Sequence, residues 1–362
     1  MPILHREKLE TYLRRRFGPK ARLLAFGPIG KETSGAARKK YGYGAPVGLT
    51  VHDGLATRRV VIETMRPGPF GHEHMADRAQ ALLWDYDSYG RLPRHVPALD
   101  VGAFDADGAL FSVAPAEEFF VLTAWAEGAG YQKDLERLSR TGRLPKGDRD
   151  RAGALARYLA VIHRTKRRDP PLYRRRLREL LGHGECIMGL TDSYPRRFGF
   201  ITEDLLRSIE EGCNRWRWRL RHKAGRLAQV HGDFHPWNVL FRKGTDFSVL
   251  DRSRGEWGEA ADDVTAMTIN YLFFSLCRWG RLQGPFEVLF RQFWEDYETA
   301  SGDRAITACA APFFAFRGLV IASPLWYPKL SLSVRRSIFT FVQNVLSADR
   351  FEPADVHRYY TR

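Results

Sequence analysis

The stretch HGDFHPWNVLF (residues 231–241) sets an acid, an imidazole and an amide within six positions of an otherwise apolar run: Asp233, His235 and Asn238. Each of these side chains costs free energy if it is buried without partners, so crowding them calls for a shared task. A second carboxylate, Asp251, ends the apolar run FSVL (residues 247–250) a short distance on. The segments LAQVHGD, NVLFRKG and FSVLDRS read as short strands separated by polar loops. The sequence around them has helical periods, as in DRDRAGALARYLAVIHRTKR (residues 148–167), where Leu155, Leu159 and Ile162 recur on one face. A polar cluster on loops held by a rigid scaffold is where chemistry tends to be placed.

Hard divalent cations such as Mg²⁺ prefer a few carboxylate or amide oxygens together with phosphate oxygens and water. An Asn and an Asp brought together by a hairpin, beside a second Asp left to take a proton, meet that requirement. Phosphoryl transfer needs this arrangement, because metal ligands neutralise phosphate charge while one carboxylate orients the attacking hydroxyl.

HGDFHPWNVLF followed by VLDRSRGEWGEAADDV (residues 249–264) resembles the aminoglycoside phosphotransferase and choline kinase-like family of the protein-kinase-like superfamily. The family pattern is H-G-D-x-H-x-x-N, an apolar strand ending in Asp, then G-x-x-x-x-D before a helix. It is met at His231, Gly232, Asp233, His235, Asn238, Asp251, Gly258 and Asp263. The resemblance implies Asp233 as catalytic base, His235 as organiser of the loop, and Asn238 and Asp251 as Mg²⁺ ligands. It also implies ATP as phosphate donor. His231 is read as a structural histidine. ADDV offers two acids at the helix start, and the four-residue gap after Gly258 selects Asp263 as the one that steadies the loop. Trp237 stands where the family often has Gly, and is expected to pack on the loop or line the acceptor site.

The implied fold is α+β and bilobal: a five-stranded antiparallel sheet with one helix over residues 1–124, binding nucleotide, and a mainly helical lobe over residues 125–362, carrying catalysis and the acceptor. The amino-acid texture agrees. Residues 21–30, 45–54, 58–68, 98–108 and 109–125 are β-rich runs punctuated by Gly, Pro and Asp-Gly turns. HEHMADRAQALLWDYDSYG (residues 72–90) has helical spacing at Met75, Ala79, Leu82 and Leu83. After AEGAG (residues 126–130) helix dominates.

The N-terminal half departs from the family at one position. The third strand of a kinase carries a Lys, as in V-A-I-K, where this chain has VVIE with Glu63. The cation for the phosphates would then come from elsewhere: Lys31 or Lys40 in the glycine-rich FGPIGKETSGAARKKYGYG (residues 26–44), Lys39, or Arg66. Asp77, then Glu73, are the candidates for a helix carboxylate. TAWAEGAG (residues 123–130) resembles the family's hinge, making Trp125 and Ala126 the adenine-side candidates.

The 362 residues carry a net charge of +15, with Arg spread along the whole chain. This is read as solvated surface first and as attraction to anions second. Aminoglycosides are polycations that prefer acidic pockets, so the expected acceptor is a small hydroxyl compound, anionic or neutral. NRWRWRLRHK (residues 214–223) is read as an amphipathic helix with Trp216 on its apolar side, in preference to a stacking surface for nucleic acid. The longest apolar runs, such as YLFFSLC (residues 271–277), are too short to span a bilayer, and the N-terminus is charged where a signal peptide is apolar, so a cytoplasmic location is expected. The four cysteines form no C-x-x-C pair. Two other readings stand beside the kinase: a kinase-like binding or regulatory protein, motivated by Glu63, and a two-metal phosphoesterase, which would need further His and Asn ligands. Nucleotidyl transfer is not separated from phosphoryl transfer by spacing alone.

Overall fold

The β-branched and alternating runs of the first hundred residues form β1 (Arg22–Pro28), β2 (Val47–His52) and β3 (Thr57–Ile62), an antiparallel sheet in the order β1-β2-β3. Inward-facing Leu23, Leu49 and Val51 are buried, and Val60 and Ile62 pack against them. The computed structural model describes residues 3–29, 44, 46–68, 70–91 and 93–361. They divide into two compact units, Met1–Thr123 and Ala124–Arg362.

The first unit differs from the five-stranded sheet with one helix. The five β-rich runs do hold strands, but β4 (Gly102–Phe104) and β5 (Leu110–Ser112) pair only with each other among the described residues. Each is three residues long, and the Asp105 carboxylate closes the turn between them by accepting from the Asp107 and Ala109 amides at 3.0 and 2.8 Å. A local hairpin forms because the turn chemistry favours it over pairing with a distant sheet edge. There are also two helices, α1 (Arg6–Phe17) and α2 (Met75–Tyr89). Leu9 and Leu13, one turn apart, bury α1 against the sheet, whereas α2 has no buried residue.

The second unit is mainly helical. A short strand, β6 (Ala129–Gly130), leads into α3 (Tyr131–Thr141), α4 (Lys146–His163), α5 (Pro170–Gly182) and α6 (Ile187–Ser193). A small hairpin, β7 (Arg197–Phe198) and β8 (Ile201–Thr202), precedes α7 (Glu203–Leu220). Then come β9 (Leu227–Gln229), β10 (Val239–Phe241), β11 (Phe247–Val249) and β12 (Trp257–Glu259). The chain closes with α8 (Ala260–Trp279), α9 (Gly284–Ser301), α10 (Ala311–Ala322), α11 (Leu332–Ser347) and α12 (His357–Tyr360). Helix α8 is apolar nearly all round and buried from Ala260 to Leu276 except at Asp262 and Phe274, as expected of a central helix. It packs against α9 and α10, while α4 lies along α9 and α10 along α11. Phe286, Phe290, Phe293, Phe314 and Phe341 fill the space between them.

Strands β6, β10 and β11 form one sheet, ordered β11-β10-β6, and β12 returns to pair with β9. The loop 230–238 is therefore held at both ends, by β9 and by β10. Gly128 sits at φ +139°, and a Cβ there would meet the Phe241 carbonyl oxygen at 2.9 Å, so only glycine lets the chain run this close to β10. Among the described residues no helix is long and apolar enough to cross a membrane.

Candidate active site

The loop between β9 and β10 is fixed from below by the first turn of α8. The buried Asp263 carboxylate accepts from the His231 and Gly232 amides, both at 2.8 Å, and lies 3.0 Å from Nε2 of buried His163. Burial alone would raise its pKa, but the hydrogen bond and charge of His163 and the backbone donors lower it, so the carboxylate stays ionised. Nδ1 of His163 is 2.9 Å from the Tyr297 hydroxyl, which fixes the ring. Gly232 has φ +85°, a left-handed turn that a side chain there would strain, and its Cβ would press on that of Arg254 at 3.2 Å.

Above this support lie the candidate residues themselves. Asp233 is half-buried, and its amide donates to Nδ1 of His231 at 3.3 Å. Burial pulls the His231 pKa down, leaving a neutral, structural ring. The Asn238 amide nitrogen donates to the Asp233 carbonyl at 3.0 Å and approaches its Oδ2 at 3.4 Å. Nε2 of His235 is also 3.4 Å from that oxygen, while its Nδ1 accepts from the Trp237 amide at 3.2 Å. Two of the residues singled out in the sequence, Asn238 and His235, thus converge on the Asp233 carboxylate.

Asp251 arrives from the other arm of the hairpin. The β10–β11 register sets Val239 opposite Val249, and the Leu250 amide donates to the Asn238 carbonyl at 2.9 Å. Asp251 follows directly, exposed, at φ +54°. A non-glycine residue held in the left-handed region costs about 1–2 kcal/mol, a strain often found at functional positions. Its Oδ1 accepts from the Ser253 amide at 3.2 Å, and no donor in the described chain is assigned to its Oδ2. Asn238 spends its NH₂ on Asp233, which turns its Oδ1 away from those bonds. Two hard oxygens with spare lone pairs therefore end neighbouring strands, a donor set that fits Mg²⁺ completed by phosphate and water. Among the described residues no group of three or more His, Cys, Asp and Glu is placed to hold a metal, so an all-protein cage is not built there.

One residue at the site has no counterpart in the sequence reading. Arg317, in the middle of α10 and only 6% exposed, donates through Nη1 to Asp233 Oδ1 and through Nη2 to the Gly232 carbonyl and Asp262 Oδ1 at 3.0 and 2.8 Å. The two acids of ADDV thus part company: Asp263 holds loop amides, and Asp262 holds Arg317. Burial works against ionisation of Asp233, but the His235 hydrogen bond and the charges of Arg317, His235 and Arg254 overcome it and keep the carboxyl well below the usual range. A lone Arg inside PFFAFRGLVIA (residues 312–322) is the signal that could have found it, since a buried guanidinium requires acid partners.

Other expectations fall elsewhere. Lys31, Lys39 and Lys40 lie outside the described residues. Glu63 lies just past β3 on its exposed face, alternate to Val60 and Ile62, and Arg66 is exposed. Asp77 caps its own helix, accepting from the His74 amide at 2.7 Å. Trp125 is 85% exposed, its indole donating to Glu127 at 2.9 Å, and Ala126 is half-buried beside it. Trp237 is partly exposed and stacks on Phe274 with ring centres 6.2 Å apart. Trp216 is buried and bonds to the Leu346 carbonyl at 2.9 Å, while Trp218 faces outward between Arg217 and Arg221.

The model of one family, the phosphotransferase enzyme family, matches residues 96–300. Similar solved structures include an ethanolamine kinase from Plasmodium vivax, 12% identical, covering 93% of this chain and 79% of that one at a TM-score of 0.36. An amicoumacin kinase in complex with AMP-PNP and Ca²⁺ is 13% identical, with 88% and 90% coverage and a TM-score of 0.41. A choline kinase from Cryptosporidium parvum is 10% identical, with 93% and 85% coverage and a TM-score of 0.33. No curated protein matches the chain.

Proposed function

The chain belongs to the phosphotransferase enzyme family, and from that premise we propose that it is an ATP- and Mg²⁺-dependent kinase of a hydroxyl group on a small molecule. The observation that carries this reading is the convergence of Asn238 and His235 on the Asp233 carboxylate, with Asp251 on the adjoining strand end.

In this reading Asp233 accepts a hydrogen bond from the acceptor hydroxyl and aims its oxygen at the γ-phosphorus. The acceptor oxygen forms its bond to phosphorus as the bond to the departing ADP oxygen breaks, and the hydroxyl proton passes to Asp233. Asp233 serves mainly by orientation, accepting the proton late, which suits a loose transition state in which the attacking oxygen has gained little bond. Asn238 and Asp251 would hold Mg²⁺, which supplies charge neutralisation at the phosphates. His235 steadies the loop through its contacts with Asp233 and the Trp237 amide. Lys31 or Lys40, in the first unit, would meet the nucleotide phosphates, and Trp125 and Ala126, at the start of the second unit, are the adenine-side candidates. Glu63, on the exposed face of its strand, is solvated there and needs no place among the phosphates. The acceptor is proposed to be neutral or anionic, on the strength of the net charge of +15.

The test is a screen of hydroxylated metabolites and aminoglycosides for ATP consumption, with the product mass determined and Asp233→Asn as control. A phosphorylated product in the wild type, and a loss of about 10²–10⁴-fold in the variant, is expected for removal of the base. Equal turnover by Asp233→Asn would remove Asp233 from its role, and a nucleotidylated product would replace phosphoryl transfer. A chain that binds no Mg²⁺·ATP would favour the kinase-like binding or regulatory protein.

A further inference from the structure

We propose that Arg317 and Asp262 are positioning residues of the phosphotransfer site: Asp262 anchors the Arg317 guanidinium, which fixes the Asp233 carboxylate in the orientation that receives the acceptor hydroxyl. This rests on the kinase reading above and adds to it two residues, from α10 and from the first turn of α8.

Four contacts define the geometry. Arg317 meets Asp233 Oδ1 with one terminal nitrogen and both Asp262 Oδ1 and the Gly232 carbonyl with the other. Its planar face rests on the Phe316 ring, 4.5 Å from guanidinium carbon to ring centre. Phe316 carries Arg254 as well, at 4.6 Å, so both cations near Asp233 are held over one ring. A guanidinium this deeply buried pays heavily for leaving water, and its Nε finds no acceptor among the described residues. A group kept for packing alone would be replaced at lower cost by Met or Leu. What the guanidinium uniquely supplies is two charged donors in a fixed fork, reaching two acids and a loop carbonyl at once.

The division of labour at Asp233 follows from this. Oδ1 belongs to Arg317, and among the described residues Oδ2 has two long contacts, both 3.4 Å, from Asn238 and His235. Oδ2 is therefore the oxygen available to a substrate hydroxyl. Without Arg317, rotation of the Asp233 side chain toward His235 or Asn238 is unopposed, and the Gly232 carbonyl loses its tie to α10. A displacement of about 1 Å at a reacting group costs on the order of 10²-fold in rate. Nucleotide binding, which involves other atoms, stays intact.

The experiment measures ATP turnover, with water or a screened hydroxyl compound as acceptor, in wild type, Arg317→Met, Arg317→Lys and Asp262→Asn. Binding of Mg²⁺·AMP-PNP is measured alongside. For Arg317→Met, kcat is expected to fall by about 10²-fold with KM for ATP and AMP-PNP affinity within threefold of wild type. Millimolar guanidinium ion should restore part of the lost kcat in Arg317→Met and have no such effect on wild type. Asp262→Asn and Arg317→Lys should show smaller losses of the same kind, and they carry the test if Arg317→Met fails to fold. A kcat within threefold of wild type in the folded variants overturns the proposal, as does a loss that appears as weakened AMP-PNP binding without guanidinium rescue. A wild-type chain that turns over no ATP overturns the kinase reading itself, and is told apart by that.

Discussion

The two units of this chain solve the folding problem with different resources. Among the described residues of Met1–Thr123 the core cluster is Leu9, Leu13, Leu23, Leu49, Val51 and Leu110, with half-buried neighbours, and α2 buries no side chain. In Ala124–Arg362 a continuous aromatic and aliphatic core wraps α8, and the buried acids Asp263 and Asp262 inside it are paired with His163 and Arg317. Positioning a carboxylate to within a fraction of an ångström needs neighbours that cannot move, and the second unit has them. Asp263, Asp262 and Arg317 can hold the loop 230–238 because α8 and α10 are themselves packed into that core. The first unit has fewer buried side chains to fix its elements, so local opening there is expected to cost less free energy.

Asp263→Ala removes one acceptor from three donors, the His231 and Gly232 amides and His163. It should destabilise the second unit by about 3–5 kcal/mol, as the loss of a buried ionic partner does. Chemical denaturation reads this directly, and a change under 1 kcal/mol would mean that the loop is held by something else. Phe290→Ala in the same core is expected to cost about 3–5 kcal/mol, whereas Met75→Ala on the exposed face of α2 should stay within about 0.5 kcal/mol. Equal costs at the two positions would erase the contrast between the units. Hydrogen exchange should show α2 amides opening with a free energy well below that of α8 amides, because α2 lacks a buried face.

A smaller effect concerns pH. Arg226 binds Asp303 through two terminal nitrogens, at 2.9 and 2.7 Å. Burial alone would raise the Asp303 pKa, but the hydrogen bonds and charge of Arg226 lower it below its ordinary value. A carboxyl with a depressed folded-state pKa adds stability that is complete above its unfolded value and lost as pH falls through the folded one. The unfolding free energy of wild type should thus decline below about pH 4, and Asp303→Asn should decline less steeply there. Parallel curves would show that the pair contributes nothing.

The proximity of the candidate site residues was legible because they lie close together in sequence and their chemistry is specific. Asp233, His235, Asn238 and Asp251 sit on one loop and one hairpin, so local spacing already implies proximity. The positions of the five N-terminal strands were legible too, from alternation and turn residues. Their grouping was not, since pairing depends on which edge is nearer, and the Asp105 turn made β5 the partner of β4. Helix α1 was overlooked because only Leu9 and Leu13 are buried in a run dominated by charge. Arg317 was invisible for a different reason: 84 residues separate it from Asp233, and no local pattern reports a partner that distant. Asp262, the first acid of ADDV, and Arg317, the lone cation of α10, were each anomalous alone, and together they identify one another.

The proposed metal site of Asn238 and Asp251, beside the Asp233 carboxylate, is tested by calorimetric titration of Mg²⁺·AMP-PNP into wild type and Asp251→Ala. Wild type is expected to bind in a manner that requires Mg²⁺, and Asp251→Ala to lose at least about tenfold in affinity, with the fold unchanged by circular dichroism. Equal affinity in the two proteins, or binding that ignores Mg²⁺, would contradict it.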